Sequence, residues 1–247
     1  MTKAPRIVRR SELVFAVSRW LLAAFCRTWH RLRIEGNHVL PTSGPVLLVA
    51  NHTSYLDPPV VGISSRRCVA FLAQAGLAKF APLRWWLAQV GVTLIDREAP
   101  STAALRLVAD SLAAGEVVGL FPEGTRSRDG AVGPFRSGVE FLVRRSRAPV
   151  IPIGIDGGFR AFPRGAWFPR PRRIVVRYGE VWSPERVLAP GGVEALRAAV
   201  ADLARAPRRA APVVANDPNP TLSASAGTGA KAPASATGDR VFRPPGL

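Results

Sequence analysis

Residues 45–59, PVLLVANHTSYLDPP, have the pattern of a strand, a loop and the start of a helix. The apolar run from Pro45 to Ala50 precedes a polar loop and is predicted to be a buried strand. Asp57 is predicted at the N-cap of the following helix and Pro58 at its first position, where both residue types favour helix initiation. A strand, loop and helix in this order favour an α/β fold.

The same alternation continues along the chain. Further strands are predicted at residues 68–72, 92–95, 117–121, 149–155 and 174–178. Helices are predicted at residues 58–63, 79–89, 101–114 and 137–147. We therefore expect one α/β domain, a mixed and largely parallel sheet flanked by helices.

Composition divides the chain into three segments. Residues 1–33 are predicted to be a basic, amphipathic membrane-interface segment, with eight basic side chains against one acid, and residues 34–205 to be the folded domain. Residues 206–247 are rich in Pro, Ala, Ser and Gly. We expect this tail to be disordered, because it has too few large apolar side chains to offset the entropy lost on folding.

The chain is strongly basic, with 34 Lys and Arg against 17 Asp and Glu. Charge alone permits binding either to nucleic acid or to an anionic membrane, because both attractions depend on phosphate. Almost all the cations are arginines, whose planar side chain binds two phosphate oxygens at once. The two cysteines are expected to be ordinary thiols, and no Cys/His cluster has zinc-ligand spacing.

The N-terminal segment favours the membrane over nucleic acid. Residues 13–26 are too short and too polar to span a bilayer, which needs roughly 20 apolar residues. Apolar residues at helical spacing, including Trp20 and Phe25, instead predict a helix in the headgroup plane, although packing against the protein's own core remains an alternative. Trp85, Trp86 and the Arg/aromatic segment 159–173 suit the same interface, with single-stranded nucleic acid and ordinary core packing as the alternatives. We expect a peripheral or monotopic protein on the cytoplasmic face of the cell membrane.

His52 and Asp57 are the first candidates for chemistry, because they follow the end of a strand, where ligands of α/β folds bind. The loop would have to fold back for the two side chains to meet. An Asp bonded to one imidazole nitrogen leaves the other free to take a proton from an alcohol. Ser54 is the competing covalent nucleophile, but it lacks the Gly-x-Ser-x-Gly turn.

The second candidate segment is FPEGTRS, residues 121–127, which follows the predicted strand ending at Phe121. Gly124 would allow backbone amides to approach a ligand, and Arg126 and Ser127 offer donors to a phosphate. The segment is not a P-loop, since no Gly-Lys-Ser/Thr has the required spacing.

Four separate segments together resemble the motif blocks of the glycerolipid acyltransferases, the 1-acylglycerol-3-phosphate acyltransferases and their relatives. They are His52 to Asp57, Arg97 in Leu94-Ile95-Asp96-Arg97, Phe121 to Ser127, and Val150-Ile151-Pro152, and they occur in the family's order and spacing. The resemblance covers about residues 34–157. It departs where many members carry a Lys between the first two blocks, since this chain has Gln74 near that place.

The resemblance implies a role for each matching residue. His52 would be the general base and Asp57 its orienting partner, and Pro152 would shape the pocket wall. The acceptor-binding set would be Arg97, Glu123, Gly124, Thr125 and Arg126, to which we add Ser127. The resemblance also implies direct attack on the thioester of acyl-CoA or acyl carrier protein, with no metal, prosthetic group or acyl-enzyme.

The expected function is acyl transfer to the sn-2 hydroxyl of 1-acylglycerol 3-phosphate, which gives phosphatidic acid. The expected partners are an anionic membrane surface, the lysophospholipid acceptor and the acyl donor, with no nucleic acid. Two alternatives remain. One is the same chemistry on another acceptor, such as glycerol 3-phosphate, a lyso-aminolipid or another lysophospholipid. The other is a non-catalytic basic protein that binds anionic membranes or nucleic acid.

Overall fold

Seven strands form one sheet in the computed structural model, which describes residues 11–74, 82, 85–87, 92–95 and 101–209. In chain order the strands are β1 (Arg33–Glu35), β2 (Val46–Ala50), β3 (Val69–Gln74), β4 (Val92–Ile95), β5 (Val117–Leu120), β6 (Val150–Asp156) and β7 (Val175–Tyr178). Across the sheet they lie in the order β1-β7-β6-β2-β5-β3-β4. Neighbouring strands are parallel except β6 and β7. The predicted mixed, largely parallel sheet is confirmed.

Helices cover both faces of the sheet. They are α1 (Glu12–Trp29), α2 (Asp57–Ser64), α3 (Ser101–Ala113), α4 (Gly138–Ser146), α5 (Gly158–Ala161), α6 (Pro184–Leu188) and α7 (Gly192–Ala204). Buried side chains of α1, α2 and α5 pack on one face, and those of α3, α4, α6 and α7 pack on the other. Each face buries a core, as expected of parallel strands covered on both sides.

Strand β2 lies in the middle of the sheet, and all five of its residues are buried. Side chains alternate along a strand, so Leu48 faces α1 and α2 while Leu47 and Val49 face the opposite helices. The loops that follow β2 and its neighbours β5 and β6 emerge at one edge of the sheet, because these strands are parallel.

The predicted strands are present within one or two residues of their expected ends, but β1 was not predicted. The N-cap prediction for Asp57 is wrong: Leu56 occupies that position, and Asp57 is the first residue of α2. The Asp57 carboxylate accepts hydrogen bonds from residues before the helix instead. Most of the helix predicted at 79–89 lies outside the described residues, of which 82 and 85–87 are helical.

Helix α1 has one docked face and one exposed face. Cys26 is fully buried in the core, and Arg19 donates to the carbonyls of Gly62 and Ser65 at the end of α2, at 2.6 and 2.7 Å. Its exposed side chains include five large apolar ones: Leu13, Val17, Trp20, Leu21 and Phe25. Packing on the core and an exposed apolar face therefore occur on the same helix. Among the described residues no helix is long and apolar enough to cross a membrane.

The folded chain continues past the predicted start of the tail at residue 206. The amide of Val132 donates to the Pro207 carbonyl at 2.8 Å, and that of Arg209 donates to the Val132 carbonyl at 2.9 Å. The first four residues of the predicted tail are thus held by backbone hydrogen bonds, and that boundary was placed too early. The remainder, residues 210–247, lies outside the described residues.

Candidate active site

The candidate site forms where the loops after β2, β5 and β6 meet. Asn51, at the end of β2, is buried and binds both backbone groups of Ile155 in β6: its amide nitrogen donates to the carbonyl at 3.1 Å, and its oxygen accepts from the N–H at 2.7 Å. This pair of hydrogen bonds ties the ends of the two strands together. The chain then enters the loop that carries His52.

His52 and Asp57 are in contact, because the loop between them folds back. The Nδ1 atom of His52 lies 2.9 Å from Oδ2 of Asp57. The same oxygen accepts hydrogen bonds from the amides of Thr53 and Ser54, at 2.6 and 2.7 Å. These amides turn the loop around the carboxylate, which brings residue 52 back to the first turn of α2.

The contact fixes the chemistry of the imidazole. An ionised carboxylate can only accept a hydrogen bond, so Nδ1 carries the hydrogen and Nε2 carries the lone pair. The Asp57 side chain is fully buried, whereas that of His52 is 19% exposed. His52 is therefore arranged to take a proton at Nε2, with a buried anion ready to stabilise the imidazolium.

Ser54 is not arranged as a nucleophile. Its side chain is fully buried, its hydroxyl donates to the Phe162 carbonyl at 2.9 Å, and it accepts from the amide of Leu56 at 3.1 Å. Within the described structure it makes no hydrogen bond to His52, which a Ser-His pair would need.

Glu123 is bonded to the backbone of His52. Its Oε1 accepts from the His52 amide at 2.8 Å, and its Oε2 accepts from the Gly133 amide at 2.9 Å. The side chain is buried, and burial raises the pKa of this carboxyl even though the amides of His52 and Gly133 act in the opposite direction. Both oxygens of Glu123 are therefore bonded to backbone amides, and its contact with the acceptor stays a prediction.

Phe121 supports the other side of the imidazole. Its ring stacks on that of His52, with centroids 4.4 Å apart, and it is itself stacked on Phe71 of β3 with centroids 6.1 Å apart. The ring plane of His52 is thus set by packing as well as by the hydrogen bond to Asp57.

Two arginines lie at the FPEGTR loop. The Arg126 guanidinium lies 3.5 Å from the centroid of the Tyr55 ring, and its buried Nη1 has no hydrogen-bond partner within the described structure. Gly124 has φ +69°, and a Cβ there would lie 2.6 Å from Nε of Arg136. Gly124 thus permits both the turn and the close approach of Arg136. Thr125 is exposed beside them.

Three further residues were expected at the site: Ser127, Pro152 and Arg97. Ser127 is buried and its hydroxyl donates to the Ala131 carbonyl at 2.8 Å, so it shapes the loop. Pro152 alternates with Ile151 and Ile153, which face α1 and α2, so it lies on the opposite face and contacts Gly179 there instead of lining a pocket beside His52. Arg97 lies outside the described residues.

Gly158, at the start of α5, was not predicted as a site residue. A Cβ on it would lie 2.9 Å from Oδ1 of Asp57 and 3.0 Å from Oγ1 of Thr53. Only a glycine lets the α5 backbone approach the buried carboxylate this closely. The signal was present in the sequence, as Gly157 and Gly158, which follow the predicted strand at 149–155 after a single Asp.

The chain is similar in sequence to known acyltransferases. The family model described as Acyltransferase matches residues 31–156. A 1-acyl-sn-glycerol-3-phosphate acyltransferase alpha from Homo sapiens is 37% identical over 128 residues, 50% of this chain and 44% of that protein. A chloroplastic 1-acyl-sn-glycerol-3-phosphate acyltransferase from Brassica napus is 30% identical over 141 residues, 56% of this chain and 41% of that protein.

The fold is also similar to a solved structure, the crystal structure of the 1-acyl-sn-glycerophosphate (LPA) acyltransferase from Thermotoga maritima. The TM-score is 0.63 at 26% sequence identity, and the match covers 80% of this chain and 81% of that one. The chain spans less than half of the length of the two curated relatives. The family match nevertheless takes in just over half of the 247 residues, among them His52, Asp57 and the FPEGTRS segment, so the chain belongs to the acyltransferase family.

Proposed function

We propose that the protein transfers a fatty acyl group from acyl-CoA or acyl carrier protein to the sn-2 hydroxyl of 1-acylglycerol 3-phosphate, which gives phosphatidic acid. The observation that carries the proposal is the 2.9 Å contact between Nδ1 of His52 and the buried Asp57 carboxylate, which leaves Nε2 as a base. The names of the relatives supply the acceptor.

In the proposed reaction, Nε2 of His52 takes the hydroxyl proton as the hydroxyl oxygen attacks the thioester carbonyl. A new C–O bond forms and the C–S bond breaks. The departing thiolate receives the proton from the imidazolium, so the products are an ester and a thiol, and His52 returns to its neutral form. No covalent acyl-enzyme is needed, which agrees with the engagement of Ser54 by Phe162.

Arg126 is proposed to bind the acceptor phosphate, together with Arg136. Arg126 has a buried Nη1 without a hydrogen-bond partner in the described structure, and Arg136 lies against Gly124 of the same loop. A dianionic phosphate would give both guanidinium groups the bidentate partner that they favour. Glu123 and Ser127 are proposed to shape the loop, while Gly124 and Thr125 border the ligand. Arg97 retains its predicted role as an acceptor contact.

The acceptor and product are lipids, so we propose that the protein works at a membrane surface on the cytoplasmic face. The support is the exposed apolar face of α1, on which Trp20 and Phe25 lie. Trp85 is also exposed. Trp86 is partly buried and donates its indole N–H to Ser18 of α1 at 2.8 Å, so its proposed role is to hold that helix.

The test is thiol release from acyl-CoA and from acyl carrier protein, with and without 1-acylglycerol 3-phosphate. We expect acceptor-dependent release from the wild-type protein and at least a roughly thousandfold loss in His52→Ala, because removing a catalytic triad base costs on that order. His38→Ala is the matched control, since His38 is exposed on a 3₁₀ turn. If thiol release is equally fast in the wild-type protein and in His52→Ala, the proposed chemistry is refuted.

The acceptor is tested separately. Glycerol 3-phosphate, a lyso-aminolipid and lysophosphatidylcholine replace 1-acylglycerol 3-phosphate in the same assay. We expect the highest kcat/KM with 1-acylglycerol 3-phosphate, and an increase in its KM in Arg126→Ala. If another acceptor gives the higher kcat/KM, the His52 chemistry stands and the proposed acceptor is wrong.

A further inference from the structure

The tryptophan loop, residues 162–169, projects an aromatic tip from the surface beside α1. The amide of Arg170 donates to the Ala161 carbonyl at 2.8 Å, which closes the loop at its base. At the tip, Trp167 is 100% exposed and Phe168 is 65% exposed. The apolar area of both rings is therefore in contact with water. Exposed apolar clusters of this kind mark interaction surfaces.

The tip is continuous with the exposed face of α1. The Phe168 ring meets the Trp29 ring edge-on, with centroids 6.3 Å apart, and the Trp29 indole N–H donates to the Pro169 carbonyl at 3.1 Å. Trp29 in turn stacks on Phe25, one helical turn earlier. Exposed apolar side chains at four-residue spacing, from Trp29 back through Phe25, Leu21 and Val17 to Leu13, therefore continue from the loop tip along α1 and wind partly around it.

Arginines surround this apolar surface. Residues 157–179 contain no acidic side chain, and the loop and its flanks carry five exposed arginines: Arg160, Arg164, Arg170, Arg172 and Arg173. Apolar aromatics bordered by guanidinium groups match the two layers of an anionic bilayer, in which hydrocarbon lies just below phosphate. The same charge would repel a basic protein surface.

We propose that the tryptophan loop inserts Trp167 and Phe168 into an anionic lipid bilayer, with the five arginines on the headgroup phosphates and α1 lying beside the loop in the same interface. The proposal rests on the proposed membrane-surface function and adds a second contact element to it. With α1 as the only contact, the domain could rotate about the helix axis on the membrane surface. A second contact element that does not lie along this axis fixes the orientation of the domain.

The base of the loop is bonded to the catalytic segment. Phe162 accepts hydrogen bonds at its carbonyl from the Ser54 hydroxyl at 2.9 Å and from the Tyr55 amide at 3.3 Å. Its ring lies 5.2 Å from that of Tyr55, on which Arg126 packs. Insertion of the tip therefore holds the phosphate-binding side of the site close to the headgroup layer, where the acceptor's own phosphate lies.

The first experiment measures vesicle binding without any substrate. Wild-type protein is titrated with vesicles of phosphatidylglycerol and phosphatidylcholine, and with vesicles of phosphatidylcholine alone. We expect tighter binding to the anionic vesicles, and binding weaker by about tenfold or more in the double variant Trp167→Ala/Phe168→Ala. Phe141→Ala is the matched control, because Phe141 is exposed on α4, on the opposite face of the sheet. Unchanged binding in the double variant would overturn the proposal.

Depth is measured by quenching of tryptophan fluorescence with brominated acyl chains. We expect quenching in wild-type protein that falls in Trp167→Phe, a substitution that keeps an apolar ring at the tip. Equal quenching in the two proteins would mean that Trp167 does not enter the hydrocarbon and would overturn the proposal. Thermal unfolding of each variant shows that the fold is retained, which is expected because both rings are exposed.

Two further experiments distinguish membrane insertion from nucleic-acid binding and from catalysis. A single-stranded oligonucleotide replaces the vesicles at the same ionic strength; loop-dependent binding that is tighter to the oligonucleotide than to anionic vesicles would overturn the membrane assignment. His52→Ala should bind vesicles as the wild type does. If the wild-type protein transfers no acyl group but its vesicle binding still depends on the tryptophan loop, the proposed function is refuted and the proposed membrane contact stands.

Discussion

The carboxylate of Glu123 accepts a hydrogen bond from the backbone N–H of His52, 2.8 Å away. Its second oxygen binds the Gly133 amide, so one buried side chain joins the loop after β2 to the loop after β5. The connection is reinforced by the Ser127 amide, which donates to the His52 carbonyl at 2.7 Å. His52 is thus held by its backbone as well as by its ring.

Glu123→Gln should reduce both stability and activity. A glutamine oxygen can replace one acceptor, but its NH₂ group would face the second backbone N–H, which leaves a buried donor unpaired at a cost of about 1–3 kcal/mol. The measurements are urea unfolding and kcat. Glu140→Gln is the control, because that side chain forms an exposed pair with Arg144, which is worth less than ~1 kcal/mol. Equal effects of the two substitutions would contradict the supporting role of Glu123.

Asp57→Asn should lower kcat while leaving the fold intact. An amide oxygen in the place of Oδ2 can still accept from the His52 ring and from the Thr53 and Ser54 amides, but the substitution removes the buried negative charge that stabilises the imidazolium. We expect a decrease in kcat of about 10³ to 10⁴, as for comparable carboxylate substitutions. Steady-state kinetics and circular dichroism check this, and a loss below about tenfold would mean that the charge of Asp57 does not support the imidazolium.

Gly158→Ala should impair catalysis by displacing Asp57. The new methyl group would lie 2.9 Å from the buried Oδ1, and Asp57 cannot yield without releasing His52. We expect a loss in kcat of about tenfold or more, since small displacements of catalytic groups carry costs of this order. In Gly62→Ala on α2, where a Cβ meets only the Phe71 ring at 3.7 Å, activity should be retained. Equal activity of the two variants would show that the approach of α5 to Asp57 has no catalytic consequence.

Arg209→Ala should weaken acceptor binding from a distance. Arg209 pairs with Asp129 and donates to the Ser127 hydroxyl at 3.2 Å, which holds the end of the FPEGTRS segment in place. Arg209 also holds the pKa of Asp129 well below its ordinary range. We expect KM for the acceptor to rise several-fold with a smaller change in kcat, partial rescue by Arg209→Lys, and no change in Arg208→Ala. A loss confined to kcat would contradict a positioning role.

His30 should make the folded state sensitive to acid. It is fully buried at the end of α1, and this burial lowers its pKa from the ordinary 6.5, although the contact of its ring with the Arg172 carbonyl acts in the opposite direction. Below the unfolded pKa the unfolded chain binds more protons, so the free energy of unfolding falls as the pH drops through about 6.5 toward the lowered value.

The measurement is urea unfolding between about pH 7.5 and 5, the range that brackets the ordinary histidine pKa. The slope of stability against pH should be smaller in His30→Phe, whatever its absolute stability, because this variant lacks the titrating group. The exposed His38 supplies the control, since His38→Phe should keep the wild-type slope. A His30→Phe protein with an unchanged slope would exclude His30 as the source.

The buried strands could be predicted because each is marked by the apolar character of its own few residues. Val46 to Ala50 and Val150 to Asp156 are apolar runs between loop residues, and such runs form strands in the interior of parallel sheets. Strand β1 has the sequence Arg-Ile-Glu at the sheet edge, where only Ile34 is partly buried. Three residues with two charges carry no periodic signal, so its pairing with β7 depends on tertiary contacts alone.

In the candidate site, too, some contacts could be predicted from local sequence and others could not. The contact between His52 and Asp57 was predicted on the condition that the short loop between them folds back, which it does. The positions of Glu123 and Pro152 depend on which loop amides come close and on which face of β6 a residue lies, and neither is encoded within a few residues. The hydrogen bonds of the Glu123 carboxylate to the His52 and Gly133 amides therefore could not be predicted from the motif that contains it.

The backbone amides of the catalytic loop are already engaged: that of His52 by Glu123, and those of Thr53 and Ser54 by Asp57. None of the three is free to form an oxyanion hole, the set of donors that stabilises the negative oxygen of a tetrahedral intermediate. In the proposed acyl transfer, that charge must be met by donors other than these three amides. The backbone that positions the base therefore leaves stabilisation of the intermediate to other groups.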